Sequence, residues 1–290
     1  MIQKIHSEFA IFRDDNYPFL AGGNKARKMM ALHKTIEDNK YNAIVTTGGI
    51  QSNHCRVTAL YCHKYNLDCT LVLHGDEEAF LTESGNAKII RNTSTNIIFS
   101  EPDEISFNMD SAIDSYKTRG FNPFYLYGGG HTLEGTKAYI DVIEELLDED
   151  YVPDYIFIAN GTGSTHAGLL CGLAKFKLKT KVIGISVGRT KSRAEQVVES
   201  FCVELCEKYN ITNKIGKIEV NDTFLCGGYG KYNDEIDTIS KYSLSDHNIF
   251  LDTTYTGKTF YGMKKYIEQN AIKGKILFWY TGGIYNYLAR

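Results

Sequence analysis

The sequence predicts an α/β protein in which parallel sheets are flanked by helices. Two observations carry this expectation. Short β-branched or aromatic runs alternate with longer amphipathic stretches, the rhythm of repeated βαβ units. Several strand-to-helix junctions are also rich in glycine, as at Thr46-Thr47-Gly48-Gly49 and Asn160-Gly161-Thr162-Gly163.

In chain order, the β-branched run at 43–47 reads as a strand and 53–64 as the helix that follows it. Residues 69–74 form the next strand and 87–92 a short helix. A strand at 96–100, a helix at 106–119 and a strand at 124–127 continue the alternation. The stretch 133–147 has apolar residues at helical spacing. Strands are expected at 155–159, 181–187, 217–220 and 275–280. Helices are expected at 165–176, 192–209, 234–242 and 257–270.

Bulk properties exclude several function classes. A chain of 290 residues has room for two lobes of roughly 100 to 180 residues. No repeat or Pro-rich linker occurs, so ordinary chain crossings join the lobes. The net charge of −3 comes without a long run of one sign, so no nucleic-acid partner is expected. The start, Met1-Ile2-Gln3-Lys4-Ile5-His6, lacks the apolar core of a signal peptide. No apolar run approaches the ~20 residues of a membrane span. The seven cysteines include no CxxC pair. Cys202 and Cys206 stand i,i+4 on an expected helix, but no second ligand pair accompanies them. Reduced thiols in a cytoplasmic protein, with no metal, are the expectation.

Three glycine-flanked segments carry the chemistry. At 155–168 a buried strand runs through Gly161-Thr162-Gly163-Ser164-Thr165 into a helix. Close backbone approach and the N–H groups of a first helical turn suit a phosphate. The loop lacks a Walker lysine and GxGxxG spacing, so it suits a monophosphate. A plain tight turn is the alternative. At Gly48-Gly49-Ile50-Gln51-Ser52-Asn53-His54, four polar residues stand where an open α/β sheet binds its ligand. Gln51, Ser52, Asn53 and His54 are candidates for holding a small substrate's carboxylate, although Ser52 or Asn53 also suits a plain N-cap. The third segment is Gly22-Gly23-Asn24-Lys25-Ala26-Arg27-Lys28. Alone, Lys25 reads as a surface lysine. A Schiff-base lysine needs a lowered pKa, which burial provides.

Together these segments, with Tyr255-Thr256-Gly257-Lys258 and Thr281-Gly282-Gly283, resemble one family. It is the fold type II enzymes dependent on pyridoxal 5′-phosphate (PLP), in the branch of 1-aminocyclopropane-1-carboxylate deaminase and D-cysteine desulfhydrase. The resemblance runs from about residue 10 to 284, with five motifs in the family's order. It implies two lobes, a large one from 1–30 and 130–290 and a small one from 31–129, in a homodimer. It implies that Lys25 is the Schiff-base lysine and that Asn53 bonds the PLP phenolic oxygen. Ser52 contacts the substrate carboxylate and takes part in proton movement. Gly161, Thr162, Gly163, Ser164 and Thr165 form the phosphate cup. Tyr255 lies over the cofactor and Tyr229 near the substrate. Thr256 stands where the ring-opening enzymes carry a Glu facing the pyridine nitrogen.

A carboxylate there keeps the ring protonated and strongly electron-withdrawing. Thr does this poorly, which suits β-elimination from a small amino acid, D-cysteine being one such substrate. The alternatives are ring opening, a biosynthetic reaction on another amino acid, and an inactive PLP- or amino-acid-binding protein. Departures from the family include the early position of the lysine motif, which implies a missing N-terminal segment, His131, and the stretch 14–19. His54 and His166 read as packing residues more readily than as bases, and Arg56 and Lys258 as helix-surface charges or ion-pair members rather than ligands. Tyr255 also fits a core aromatic.

Overall fold

The computed structural model describes residues 1–5 and 9–289. The chain begins with strands β1 (Ile2–Ile5) and β2 (Phe9–Arg13) and a 3-10 turn at Asp14–Asn16. Helices α1 (Asn24–Ala31) and α2 (His33–Asp38) follow. Next come β3 (Ala43–Gly49), α3 (Asn53–Tyr65), β4 (Asp68–His74), α4 (Glu77–Thr82), α5 (Gly85–Arg91) and β5 (Asn96–Phe99). Then come α6 (Ile105–Thr118), β6 (Pro123–Tyr125), α7 (Leu133–Asp148), β7 (Tyr155–Asn160) and α8 (Ser164–Lys175). The chain ends with β8 (Lys181–Ser186), α9 (Lys191–Lys208), β9 (Glu219–Asn221), α10 (Asp234–His247), α11 (Thr256–Gln269), β10 (Ile276–Tyr280) and α12 (Ile284–Tyr287).

These elements form two compact units. The larger comprises Met1–Tyr17 and Thr136–Ile284; the smaller comprises Pro18–Gly135 and the C-terminal residues from Tyr285. Residues 18–30, 130–135 and those from Tyr285 thus fall in the smaller unit, where the sequence reading grouped them with the larger. Their packing is the reason. Helix α1 packs on α3, and Gly135 lies so close to Lys28 that an added Cβ would come within 3.3 Å of the Lys28 carbonyl oxygen.

The larger unit holds a six-stranded sheet in the order β1-β2-β10-β7-β8-β9. Only the β1/β2 pair is antiparallel. Strand β10 is buried along its whole length, as a central strand covered on both faces must be. Ile11, Phe157, Ile183, Ile185 and Phe278 form one face of the core, beneath Phe260 and Met263 of α11. The smaller unit holds a parallel sheet in the order β5-β4-β3-β6. Helix α6 covers Ala43, Val45 and Val72 with Met109, Ala112, Ile113 and Tyr116.

Both sheets reverse their chain order in the same way. Strands β3, β4 and β5 progress to one side, and β6 joins on the far side of β3; β7, β8 and β9 do likewise, with β10 beside β7. Ligands bind outside the carboxyl ends of strands at such reversals. The loops there follow β3, β6, β7 and β10. They contain 48–53, 128–130, 161–165 and 281–283, so most of the sequence motifs lie at these two switch points.

The sequence reading did not include β1, β2, α2, α4 or α12, and it put Lys25 at the mouth of a helix without giving α1 bounds. Helix α1 defeats an apolar-periodicity reading because its buried residues include Arg27 and Lys28. Among the described residues, no helix is long and apolar enough to cross a membrane, and no group of His, Cys, Asp or Glu is placed to hold a metal. All seven cysteines are free thiols.

Helices α7 and α8 meet at two glycines one turn apart. A Cβ at Gly168 would lie 2.8 Å from the Thr136 carbonyl oxygen, and one at Gly172 would lie 2.7 Å from that of Ile140. Gly168→Ala gains about 1 kcal/mol of helix propensity, but the clash with backbone outweighs it. We expect a net loss of roughly 1–2 kcal/mol, read as a lower urea midpoint with an unchanged slope. An unchanged or higher midpoint contradicts this close packing.

Candidate active site

In the smaller unit, Lys25 is the second residue of α1. The chain reaches it through four consecutive left-handed residues, Leu20, Ala21, Gly22 and Gly23. Leu20 and Ala21 carry side chains in this disfavoured region, so something must hold the turn. Arg56 does. Its Nη1 donates to the carbonyl oxygens of Leu20 at 2.6 Å and Ala21 at 3.4 Å, and its Nη2 to that of Gly22 at 3.3 Å. Arg56 is buried, which lowers its pKa to about 10, and it stacks over the Tyr285 ring. It is not the helix-surface charge expected from the sequence.

The Lys25 amine donates to the carbonyl oxygen of Gly129 at 2.9 Å, in the loop after β6. Desolvation by the surrounding protein lowers its pKa to about 8. At neutral pH about a tenth of such amines are uncharged, against well under a thousandth for an ordinary lysine.

His54 lies below this lysine and is buried. Thr46 donates its one hydroxyl proton to the carbonyl oxygen of Leu126 at 2.6 Å. The 2.8 Å contact between His54 Nε2 and Thr46 Oγ1 is therefore His54 donating, which fixes the tautomer. Burial, then the charges of Lys25 and Lys28, lower the His54 pKa to about 3. It is a neutral packing residue.

Ser52 is the N-cap of α3, accepting from the Cys55 N–H at 3.2 Å. That bond uses a lone pair and leaves the hydroxyl proton to donate elsewhere. The neighbouring Asn53 belongs to an amide network. Its Nδ2 donates to Asn286 Oδ1 at 2.5 Å, and its Oδ1 accepts from Asn86 Nδ2 at 3.0 Å. Asn86 and Asn286 both donate to the carbonyl oxygen of Gln51 as well, at 3.0 and 2.8 Å. Asn53 keeps one Nδ2 hydrogen to spare. Gln51 has both amide ends engaged, donating to Glu83 and Ser84 and accepting from the Asn86 and Ala87 N–H groups. It builds the site's wall. Sequence reasoning missed Asn86 and Asn286, which lie 33 and 233 residues from Asn53; no local pattern joins them.

In the larger unit, the loop after β7 enters α8 through Gly163, whose φ of 85° suits glycine. Ser164 and Thr165 are buried in the first turn, and the Thr162 and Ser164 hydroxyls lie 3.2 Å apart. The first intrahelical bond starts at the Ala167 N–H. The N–H groups before it point out of the helix end and favour an anion. Arg189, unremarked in the sequence reading, donates to the Gly161 carbonyl oxygen. His166 is buried against Gly184 and bonded to Asn160 at 2.9 Å; burial lowers its pKa to about 4.

Tyr255 immediately precedes α11, and its hydroxyl is hydrogen-bonded to that of Tyr229. The rings meet edge to face at 5.8 Å. Thr256 is buried, and its hydroxyl has two defined partners. It donates to Asp252 Oδ2 at 2.7 Å and accepts from the Asp252 N–H at 3.0 Å. Asp252 also accepts from the N–H groups of Thr254, Tyr255 and Thr256. Burial raises its pKa, and those hydrogen bonds oppose the shift. Gly283 leaves room for this carboxylate: a Cβ there would collide with Asp252 Oδ2. Asp252 was missed because an aspartate four residues before Thr256 reads only as a helix-start signal.

Two parallel sheets with matching reversals, a partly deprotonated lysine amine and a phosphate-suited helix start define a class of enzyme that joins an amine to a phosphorylated carbonyl cofactor. The chain belongs to the pyridoxal-phosphate dependent enzymes, whose family pattern matches residues 4–282. It is 30% identical to a D-cysteine desulfhydrase of Yersinia pestis (strain Pestoides F), covering 95% of this chain and 86% of that protein. It is 31% identical to a protein named "Putative 1-aminocyclopropane-1-carboxylate deaminase" from Pyrococcus furiosus, over 97% and 86% of the two chains. The solved structure of an ACC deaminase homologue matches with a TM-score of 0.88 at 31% identity, over 97% of this chain and 86% of that one. Threonine deaminase isoform 2 of Solanum lycopersicum, at 17% identity, shares the fold, with a TM-score of 0.63 over 94% and 78% of the chains. The cofactor is therefore PLP, and the residues present fit it.

The lysine makes a testable contribution to stability in protein stripped of cofactor. Its folded pKa of about 8 lies below the unfolded value of 10.5. Between these values the unfolded state binds more protons, so stability rises with pH. Below pH 8 both states are charged and the burial penalty is complete. We expect Lys25→Met to stabilise the stripped protein by roughly 1–3 kcal/mol at pH 7, with the advantage fading by pH 10.5. Denaturation of both proteins across pH 6.5–10.5 checks this; a pH-independent difference contradicts it.

Proposed function

We propose that this enzyme is a PLP-dependent lyase that removes the α-proton of a small amino acid and expels its β-substituent. D-Cysteine is the substrate this reading favours, giving pyruvate, ammonia and sulfide with uptake of one water. The single observation that carries β-elimination over ring opening is Thr256. Its hydroxyl proton is committed to Asp252, so the residue offers a lone pair and no charge of its own. The relatives' names do not separate the two chemistries, because the identities, 30% and 31%, are nearly the same.

When bound, PLP supplies an electron sink conjugated to the substrate's α-carbon. The chain's own residues do the rest. Ser52 and the first turn of α3 hold the substrate carboxylate. Asn53, braced by Asn86 and Asn286, donates to the phenolic oxygen. Gly161 to Thr165 hold the phosphate. Lys25 would hold the cofactor's aldehyde carbon, and its amine would take the substrate's α-proton; its lowered pKa favours the uncharged amine this needs. The Tyr229–Tyr255 hydroxyl pair serves proton delivery on the substrate side. We also propose a cytoplasmic homodimer, tested by light scattering of the purified protein.

The second reading is opening of the 1-aminocyclopropane-1-carboxylate ring. It is favoured by the buried Asp252 carboxylate, one hydrogen bond behind Thr256.

Purified enzyme is expected to be yellow, and Lys25→Ala to lose that band together with roughly a thousandfold or more of its activity. Across D- and L-amino acids, pyruvate release from D-cysteine is expected to exceed 2-oxobutyrate release from 1-aminocyclopropane-1-carboxylate. The opposite order overturns the choice of β-elimination, and an unchanged band in Lys25→Ala overturns the lysine assignment.

A further inference from the structure

Lys258 stands in the first turn of α11, in a place that is electrostatically poor for a cation. It is 0% exposed, and desolvation lowers its pKa. A helix N-terminus carries partial positive charge, which disfavours an ammonium there. Its hydrogen bonds go to carbonyl oxygens: Leu225 at 2.9 Å, Gly228 at 2.9 Å and Val187 at 3.4 Å. Three acceptors match the three hydrogens of an ammonium.

Two of those carbonyls belong to a glycine-rich strap, in which the Gly228 N–H donates to the Leu225 carbonyl oxygen and the Lys231 N–H to that of Gly228. Cys226, Gly227, Gly228 and Gly230 all have positive φ. A Cβ at any of these three glycines would meet nothing within 4 Å. The glycines leave the backbone conformationally free at their own positions, and Tyr229 between them lies against Gly188. Tyr229 sits in this strap and is 53% exposed, yet its hydroxyl bonds that of Tyr255. One helical turn thus supplies both ends of the arrangement: Tyr255 at its start and, three residues on, the ammonium that ties down the Tyr229 strap.

We infer that Lys258 is a positioning residue: by stapling residues 225–228 it holds the Tyr229 hydroxyl on Tyr255 and so completes the proton-delivering pair. This rests on the role given to that pair above. Lys258 acts through these backbone carbonyls.

The test uses Lys258→Met, Tyr229→Phe and the double variant. Hydrogen exchange across 225–230, with and without cofactor, is expected to speed up in Lys258→Met. With whichever amino acid the panel shows to be turned over, each single variant is expected to lose between about tenfold and a hundredfold in kcat/KM. Both are expected to shift the pH profile alike. The double variant is expected to be no worse than Tyr229→Phe alone, because both remove one unit. Additive losses, or a wild-type pH profile in Lys258→Met, overturn the proposal. So does unchanged exchange in the strap, a readout that needs no substrate and is independent of the assigned reaction. If Lys258→Met does not fold, Gly227→Ala replaces it. That Cβ meets only open space but strains a φ of 92°, so it disturbs the strap alone. It is expected to reproduce the Tyr229→Phe pH profile, and retention of the wild-type profile overturns the inference.

Discussion

The site depends first on one buried cation bonded to backbone. Arg56 takes a guanidinium out of water, which costs several kcal/mol unless polar partners compensate. The partners are the carbonyls of 20–22, brought together because four residues in succession are left-handed. The turn needs the cation to offset its strain, and the cation needs the turn to replace its water. Helix α1 begins where this turn ends, so the position of Lys25 follows from it. Lys258 repeats the arrangement in the other unit, on carbonyls that flank Cys226 and Gly227.

This mutual dependence also explains where sequence reading stopped. The motifs at 22–28, 48–53, 161–165, 255–258 and 281–283 were legible because each is a local junction of strand, small residues and helix. The parallel sheets were legible for the same reason. Arg56 and Lys258 read as surface charges because their burial is decided by acceptors 34 to 36 and 30 to 71 residues away. Asn86 and Asn286 lack any motif, since their role is to hold Asn53. Strand β2 was overlooked as a short apolar run near the chain start, though β10 pairs with it in register.

The buried bases Lys25, His54 and Arg56 of the smaller unit share a direction. Burial pushes His54 down to about 3 and Lys25 down to about 8. His54 is therefore neutral throughout the physiological range, with its one proton engaged by Thr46. It cannot act as an acid there. Of the two, Lys25 is the base nearer neutrality, with the Gly129 carbonyl as the partner of its amine. A carbonyl stabilises an ammonium less than a carboxylate does, so the contact positions the amine without restoring its ordinary pKa.

Thr256 and Asp252 solve a related problem with opposite charge. A carboxylate exposed to a bound ring would impose a full negative charge at that point. Here the carboxylate is buried, and three backbone N–H groups and the Thr256 hydroxyl spread its charge. Because Thr256 already accepts from the Asp252 N–H and donates to its carboxylate, a lone pair is all it has left. A group that can only accept favours a protonated partner, but without a formal charge it favours it weakly. In the β-elimination proposed above, such a residue beside the ring would suit a good leaving group that shares the work of accepting electrons.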